Sequence, residues 1–488
     1  MKTKNLIRVL LLVLSISILL SAFVACKNDG EKNNPNQEVP TKKPTVEEAP
    51  DENGWVYTSP NVNYGNDEFN IYTWSGTDEW VLEVDETTTP IDSETFYHFC
   101  NVEYELGIVF NIAQSVSGGW GHHTDFIAKV AMLTGADNID LVCQYSLAAD
   151  TGVLQGVYKN LMELDYLDWE APYWSEDLRN ANTINGKMFY TTGEVTRSAL
   201  YNMFILVYNY SLANSYEMGD LYGMVDNGTW TVAKLRELTT NIYQDLNGNE
   251  APDVGDRFGL VSAKNCIDPF QYGCDLPLII LSEMGELEIN SEVVRDYGVG
   301  VTESLIDLFH ANPGAYVGSN VNKDYPSPME TGQVVFASYT ASSIISSLYA
   351  TDINYGILPF PKYTEEQKHY YTTLAMTYSI LSVPNVAPDA NQSAAVLEAL
   401  AHDGYVNLTP YIYEESLKSR YSKRPEDAEM FDILRGGIVY DPGRLFGSVD
   451  IFSLVRSTVA ANDALTTRYD GNVNTWKKRI GDVMFAFS

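Results

Sequence analysis

The chain has 488 residues, and its 65 Asp and Glu against 31 Lys and Arg give a formal net charge of −34 at pH 7. This length exceeds what one hydrophobic core normally supports, so we expect two lobes. The strong negative charge argues against nucleic-acid binding and against a surface that lies flat on an anionic membrane.

The N-terminus has the pattern of an export signal. Three basic residues within the first eight precede an apolar run from Val9 to Phe23. This run is shorter than a typical transmembrane helix. The run is followed by Ala25 and Cys26, which resemble the lipobox of bacterial lipoproteins. In those proteins the cysteine thiol is lipidated and the leader, here residues 1–25, is removed. An ordinary secretory signal with an incidental cysteine is the alternative.

Residues 26–66 form the next segment, which is rich in Asn, Pro, Glu, Lys, Thr and Gly and has almost no apolar residue before Trp55. Such a segment cannot bury enough surface to offset the entropy of ordering it. We therefore expect a flexible tether between a membrane anchor and a globular body on the outside of the cell.

The body begins with alternating strand and helix patterns. Strands are predicted at 69–74, 108–112 and 139–143, and helices at 93–106, 124–133 and 151–164. This alternation indicates a parallel sheet with crossover helices, in which ligands bind at the carboxyl ends of the strands. Trp74, after the first strand, and Gln144 with Tyr145, after the third, are therefore candidate binding residues.

The second half repeats this pattern less regularly. Strands are predicted at 204–208, 334–337 and 355–359, and helices at 231–244, 394–401 and 452–465. Thr229 or Thr231 can cap the helix that begins near 231. Trp230 is assigned to the core.

Several local patterns, taken in order, resemble the family of maltose-binding and related sugar-binding proteins. Val207–Leu212 and Gly228–Leu235 resemble the family passage "YNKxL … TWdEL", with Tyr210 in place of the usual Lys. Asn354–Lys362 is similar to the family strand "y-G-v-x-P-x-P". Weaker matches, some to helices of Gram-positive lipoprotein members, lie at 171–174, 185–194, 396–400, 410–413 and 430–433, so the resemblance spans about residues 67–470.

The resemblance implies an α/β fold of the two-lobe, type II periplasmic-binding-protein kind. It assigns 67–193 with 376–435 to lobe I and 194–375 with 436–488 to lobe II. A hinge of three crossings is expected near Glu194, 373–377 and 436–438. It also implies a monomeric extracellular protein without enzymatic activity or a required cofactor, which captures a sugar or oligosaccharide and delivers it to the permease subunits of an ABC importer.

Sugar sites combine aromatic rings, which stack on the apolar face of a pyranose, with planar polar groups that bind its hydroxyls. Trp120 lies in a glycine-rich loop, Tyr272 and Tyr339 match stacking positions of the family, and Glu194 lies at the hinge. With 33 Tyr in the chain, core packing is the competing interpretation for each tyrosine. The candidate ligand-binding residues are Trp74, Trp120, Gln144, Tyr145, Glu194, Tyr272 and Tyr339.

A second candidate site lies between residues 245 and 256, where oxygen-bearing residues follow the spacing of an EF-hand loop. Gly248 stands at the fourth position, whereas the loop requires glycine at the sixth, and the twelfth residue is Asp instead of Glu. The segment fits either a structural Ca²⁺ site or a polar turn after a helix. Its ligands would be Asp245, Asn247, Asn249, Asp253 and Asp256 with the backbone carbonyl of Ala251.

Four further cysteines, Cys100, Cys143, Cys266 and Cys274, follow Cys26. In an oxidising compartment, Cys266 and Cys274 are the likelier disulfide because they close a short loop, and buried free thiols are equally compatible with the sequence.

Catalytic motifs give little support to an enzyme. The sequence contains no Gly-x-Ser-x-Gly, no His-Glu-x-x-His and no phosphate-binding loop. A pair of carboxylates among 65 acidic residues could still serve a glycoside hydrolase. A surface hydrolase or lyase, or a non-transport glycan sensor, therefore remains the alternative function.

Overall fold

The computed structural model describes residues 55–75, 77–114, 139–253, 255–318, 329–330 and 332–488. The leader, Cys26, the first part of the tether, the helix predicted at 124–133 and Trp120 lie outside these residues.

The described strands and helices alternate along most of the chain. The strands are β1 (Asp67–Thr73), β2 (Ile108–Gln114), β3 (Leu141–Tyr145), β4 (Phe204–Asn209), β5 (Phe258–Ala263), β6 (Ile279–Leu281), β7 (Leu287–Ile289), β8 (Ala315–Gly318), β9 (Val334–Thr340), β10 (Tyr355–Leu358) and β11 (Ser379–Ser382). The α-helices are α1 (Pro90–Leu106), α2 (Ala149–Leu154), α3 (Glu176–Asn182), α4 (Ser198–Tyr201), α5 (Tyr210–Ser215), α6 (Leu221–Asp226), α7 (Val232–Thr239), α8 (Asp268–Gly273), α9 (Ser291–Arg295), α10 (Tyr297–His310), α11 (Ala341–Ser346), α12 (Ala390–Asp403), α13 (Pro425–Gly436), α14 (Pro442–Leu445), α15 (Leu454–Ala461) and α16 (Leu465–Ala486).

Two open mixed sheets organise the two lobes. The first has the order β11-β3-β1-β2, in which β1 is parallel to β2 and β3 while β11 is antiparallel to β3. The second has the order β10-β4-β9-β5-β8, in which β5 is parallel to β8 and β9 while β4 is antiparallel to β9 and β10. A separate hairpin is formed by β6 and β7.

Local sequence signals explain where several elements begin and end. The Thr89 hydroxyl accepts from the backbone N–H of Asp92 at the start of α1, and Gly107 ends that helix with φ 61°. All six residues of β4, the apolar run Phe204–Asn209, are buried, as expected for a strand covered on both faces. Thr231 caps α7 through Lys234.

Trp230 lies in the core of the second lobe, as predicted, and none of its surface is exposed. Its indole Nε1 donates to the carbonyl of Pro359 at 3.0 Å, and its ring packs beside Phe336. The side chain therefore joins the start of α7 to the end of β10.

The chain passes between the two lobes more than once. Thr191 still pairs with Leu381 of the first lobe, whereas Met203 pairs with Leu374 at the start of the second. The stretches 192–202 and 375–378 are therefore two neighbouring passages.

A third passage is helical. The helix α12 packs on α1 of the first lobe and continues through π-helical turns at Gly404–Leu408 and Tyr411–Arg420. The next helix, α13, packs on β10 of the second sheet. The sequence placed this helix with lobe I and the crossing near 436–438. In the structure Ile438 instead pairs with Thr372, beside the second passage.

The end of the predicted tether packs on the first lobe, and we call residues 55–64 the strap. Trp55 Nε1 donates to Asp168 at 3.2 Å, and the Tyr57 ring stacks on His402 with centroids 3.5 Å apart. Tyr64 N donates to the carbonyl of Leu106 at 2.8 Å. Unlike the polar residues that precede it, this part of the tether contains aromatic rings whose burial offsets the entropy of ordering.

The thiols of Cys143, Cys266 and Cys274 are free, so the disulfide favoured between Cys266 and Cys274 is not formed. Burial raises the pKa of the Cys266 thiol to about 12, which keeps it protonated and unreactive. Within the described ranges, no helix combines the length and apolar character that crossing a bilayer requires.

Replacement of the buried indole tests this packing. We expect Trp230→Ala to lower the free energy of unfolding by about 3–5 kcal/mol, because it leaves a cavity and an unpaired Pro359 carbonyl. Urea denaturation followed by circular dichroism measures the change. Tyr104→Ala, at a side chain that is 56% exposed on α1, is the matched control and should change stability by less than about 0.5 kcal/mol.

Candidate functional site

In each sheet, the carboxyl end of one strand lies next to a passage between the lobes. Ser379, the first residue of β11, pairs with Tyr145, the last residue of β3. Phe204, the first residue of β4, pairs with Thr340, the last residue of β9. Because β4 and β11 each begin directly after a passage, the carboxyl ends of β3 and β9 lie at the gap between the lobes.

A cluster of apolar side chains lies at this gap. Trp74, just after β1, meets Tyr145 edge to face, with ring centroids 5.4 Å apart. Tyr145 and Leu147 pack with Phe452, and the partly buried Trp74 and Met376 border the same cluster. Phe452 directly precedes α15, which packs on α10 of the second lobe. The cluster therefore combines rings from both lobes, and Trp74 retains exposed ring surface.

A hydrogen-bond network fixes the orientation of Trp74. The indole Nε1 donates to the hydroxyl of Ser379 at 3.0 Å, and that hydroxyl donates to Glu79. Glu79 is 2% exposed and also accepts from Thr77 at 2.9 Å and Thr196 at 2.6 Å. Because Thr196 lies on the first passage, this network links the ring to the hinge and holds it in place before any ligand arrives.

Gln144 does not contribute to the gap, although it is adjacent to Tyr145. Its amide donates to Ser382 at 3.0 Å and accepts from Tyr158 at 3.0 Å, and the residue is fully buried. Successive side chains of a strand point to opposite faces, so a strand that turns Tyr145 toward the gap turns Gln144 into the core.

Glu194 lies on the first passage, and its carboxylate accepts hydrogen bonds from protein groups. One oxygen accepts from Arg435 at 2.9 Å, and the other accepts from the hydroxyl of Thr409. The Arg435 guanidinium also lies over the ring of Tyr413, 4.6 Å from its centroid. Glu194 therefore links the first passage to the third, helical passage.

Tyr272 and Tyr339 are both buried in the second lobe. Tyr272 is 3% exposed on α8, and the Arg444 guanidinium lies 5.5 Å from its ring centroid. Tyr339, near the end of β9, accepts from the backbone N–H of Met329 at 3.3 Å. The structure describes six of the seven predicted ligand-binding residues, and among these six it brings Trp74 and Tyr145 together in one cluster.

Beside Tyr272, a buried ion-pair network supports the hinge. Arg444 pairs with Asp268 at 2.9 Å and donates to the carbonyl of Leu374 at 2.6 Å. Arg456, on α15, pairs with the same Asp268 oxygen at 3.3 Å. The network therefore fixes the second passage and the helix that follows Phe452.

Sequence reasoning missed Glu79, Ser379 and Phe452. Ser379 and Glu79 come from lobe I segments 300 residues apart, and Phe452 comes from the C-terminal region. The only available signal was that Ser379 directly follows the predicted crossing at 373–377.

The loop between 245 and 256 closes on itself through its own polar groups. Asp245 accepts from the backbone N–H of Gly248 at 2.6 Å and of Glu250 at 2.9 Å. The side-chain amides of Asn247 and Asn249 both donate to Asp253. Among the described residues, no group of three or more His, Cys, Asp or Glu side chains is placed to hold a metal ion.

Asp256, the twelfth residue of this loop, is fully buried and accepts from the backbone N–H of Leu246 at 3.0 Å and of Asp253 at 3.1 Å. The two ends of the loop are thereby held together, although its carboxylates do not converge on one point.

Asp150 joins α2 to the C-terminal region. One carboxylate oxygen accepts from the backbone N–H of Ser448 at 3.0 Å and from its hydroxyl. The other oxygen is buried, and no described residue donates to it. Burial raises the pKa of Asp150 to about 6, against an ordinary value of 3.8.

This raised pKa predicts a pH dependence of stability. The folded chain binds the proton of Asp150 more tightly than the unfolded chain, so this contribution is complete below about pH 4 and is lost as pH rises through about 6. Asp150→Asn should remove this contribution. The free energy of unfolding of the variant minus that of wild type should therefore increase by about 2 kcal/mol from pH 4 to pH 7. Urea denaturation of both proteins at the two pH values measures the difference. A constant difference would contradict the assignment.

Comparisons with known proteins agree with this architecture. No protein-family profile and no curated protein matches the sequence. Solved structures do match, each at low identity. The GacH receptor of Streptomyces glaucescens, solved unliganded and with acarbose, is 12% identical with a TM-score of 0.52, covering 86% of this chain and 97% of its own.

Two more structures match over a similar length. Maltose-bound MalE3 of T. maritima is 14% identical with a TM-score of 0.51, covering 86% of this chain and 99% of that one. A cyclo/maltodextrin-binding protein in complex with maltotetraose is 13% identical with a TM-score of 0.53, covering 85% and 97%. The predicted fold is therefore confirmed: the chain has the two-lobed α/β fold of the solute-binding proteins of ABC transporters.

Proposed function

We propose that this protein captures a sugar or oligosaccharide in the gap between its lobes and releases it unchanged. The single observation that carries the proposal is the cluster at the gap, where Trp74 and Tyr145 of the first lobe meet Phe452 of the second. Rings of this kind stack on the apolar face of a pyranose, and the surrounding hydroxyls and carboxylates bind its polar edge.

The charge distribution favours a neutral ligand. Arg444 and Arg456 pair with Asp268, and Arg435 pairs with Glu194. Each of these three guanidinium groups is therefore already paired with a carboxylate near the hinge, with Arg444 and Arg456 sharing Asp268. An anionic ligand would have to compete with these carboxylates in a protein of net charge −34.

We further propose that the chain is a monomeric lipoprotein anchored through Cys26 to the outer face of the cell membrane, and that it passes its ligand to the permease subunits of an ABC importer. The leader pattern, the polar tether and the fold support this arrangement. Metabolic labelling with a palmitate analogue, compared between wild type and Cys26→Ala, tests the anchor. Equal labelling of both proteins would contradict it.

Removal of the partly buried Trp74 ring tests the ligand site. Trp74→Ala should weaken binding of the cognate glycan at least about tenfold, because it removes one stacking surface of the gap. Isothermal titration against a glycan panel that includes maltose and maltotetraose measures the affinity. Analysis of the recovered glycan should show no cleavage.

Tyr104→Ala, an aromatic replacement far from the gap, is the matched control and should leave the affinity unchanged. Small-angle scattering with saturating ligand should show a smaller radius of gyration if the lobes close. Absence of binding across the panel, or equal affinity of Trp74→Ala and wild type, would refute the proposed site.

We also propose that the loop from Asp245 to Asp256 takes up a structural Ca²⁺, bound by Asp245, Asn247, Asn249, Asp253 and Asp256 with the carbonyl of Ala251. The EF-hand-like spacing supports it, and so does the joining of the two loop ends by Asp256. Calcium would require the side-chain oxygens of Asn247 and Asn249 to turn toward the ion and to give up the backbone N–H groups of Asn249 and Ala251 from which they accept.

Calcium addition tests this site without reference to sugar binding. After treatment with a chelator, Ca²⁺ at a hundredfold excess over its Kd should stabilise the protein by about 2.7 kcal/mol, whereas Mg²⁺ should have little effect. The melting temperature with and without Ca²⁺ is the measurement. Asp245→Asn should abolish the shift, and Glu303→Gln, at an exposed acid on α10, should preserve it. An unchanged shift in Asp245→Asn would identify the loop as an ordinary polar turn.

A further inference from the structure

A cavity of about 280 Å³ lies between the strap and the first lobe, away from the gap. Four strap residues between 55 and 60 form one wall, including Trp55 and Pro60. Tyr166, Asp168 and Glu398 form the other wall. None of these residues belongs to the Trp74 cluster or to the proposed calcium loop.

Two aromatic residues, Trp55 and Tyr166, line this cavity. The Trp55 indole meets the Tyr173 ring edge to face at 5.2 Å between centroids. Tyr166 is 40% exposed and has φ 75°, a left-handed conformation that residues other than Gly, Asn and Asp rarely adopt. The fold therefore holds the Tyr166 ring at the cavity against a local backbone preference.

The two charged residues that line the cavity, Asp168 and Glu398, are both acidic. Glu398 is 2% exposed and accepts only from neutral donors, namely the Tyr173 hydroxyl, Trp174 Nε1 at 3.2 Å and the backbone N–H of Asp168 at 3.2 Å. Asp168 accepts from Trp55 and from a backbone N–H. In the part of the chain that the structure describes, no Lys or Arg forms an ion pair with either carboxylate. Burial raises the pKa of Glu398, as expected for a carboxylate without a compensating cation.

We propose that this cavity binds an organic cation, an alkylated ammonium group that rests against Trp55 and Tyr166 and faces the carboxylates of Asp168 and Glu398. Aromatic faces and nearby carboxylates attract such a cation electrostatically. An alkylated ammonium fits better than a metal ion, because the Glu398 oxygens already accept from three donors. A metal ion would need those oxygens as direct ligands.

Because the strap forms one wall, the ligand also contributes to holding the strap in place. Binding would therefore stabilise the packing of the tether end against the first lobe. Sugar capture in the gap does not require this site.

Choline chloride is a suitable probe, and its neutral carbon isostere 3,3-dimethylbutan-1-ol is the matched comparison. Isothermal titration of the full-length chain should show saturable choline binding and at least roughly tenfold weaker binding of the isostere, because only the cation gains the aromatic and carboxylate attraction. Choline should also slow proteolytic cleavage within the strap.

Variants separate this site from the gap. Trp55→Ala and Asp168→Asn should each weaken choline binding by roughly fivefold or more. Glu170→Gln, which removes one charge from the same loop outside the cavity, should leave binding unchanged, and so should Trp74→Ala. Three results would each overturn the proposal: no saturable binding of choline, equal binding of the isostere, or loss of choline binding in Trp74→Ala. The last result would assign choline to the gap.

Discussion

Backbone pairing at the strand ends nearest the passages determines where the two lobes face each other. Ser379 of β11 pairs with Tyr145, and Phe204 of β4 pairs with Thr340. These pairs join β11 and β4 to their sheets at the points where the passages end. Side chains that follow the neighbouring strands, such as Trp74 after β1, therefore lie at the gap between the lobes. The Ser379 hydroxyl adds a second constraint, because it binds both Trp74 and the buried Glu79. The position of the ring therefore depends on the same few residues that define the hinge.

Much of the fold could be predicted from local sequence. The apolar run of β4, the Thr89 cap and the Gly107 end of α1 each depend on neighbouring residues alone. The helix predicted at 151–164 was too long, since the structure ends α2 at Leu154 and places Gly156 at φ 65°. A left-handed glycine ends a helix, and Leu161 beyond it packs in the core at the start of a separate 3₁₀ turn, Leu161–Glu163.

The site was less predictable, because its chemistry depends on contacts between distant residues. Their position after the third strand made both Gln144 and Tyr145 candidates, and the sequence could not separate them without knowing which face of the strand is covered. Glu194 was placed at the hinge, yet its partner Arg435 lies 241 residues away and occupies its carboxylate. Phe452 lies beyond the last passage, so no local pattern links it to Trp74.

The π-helical turns after α12 have a consequence for how one helical run can serve both lobes. Val396, Leu397 and Leu400 belong to a core cluster of the first lobe, whereas Leu408, Ile412 and Leu417 belong to the larger cluster that fills the second lobe and reaches into the first. Each extra residue in a wide turn rotates all later side chains by about 100° around the axis. An uninterrupted α-helix would keep its apolar stripe on one side. The wide turns change the phase of that stripe, so the run can leave one core and enter the other without a loop.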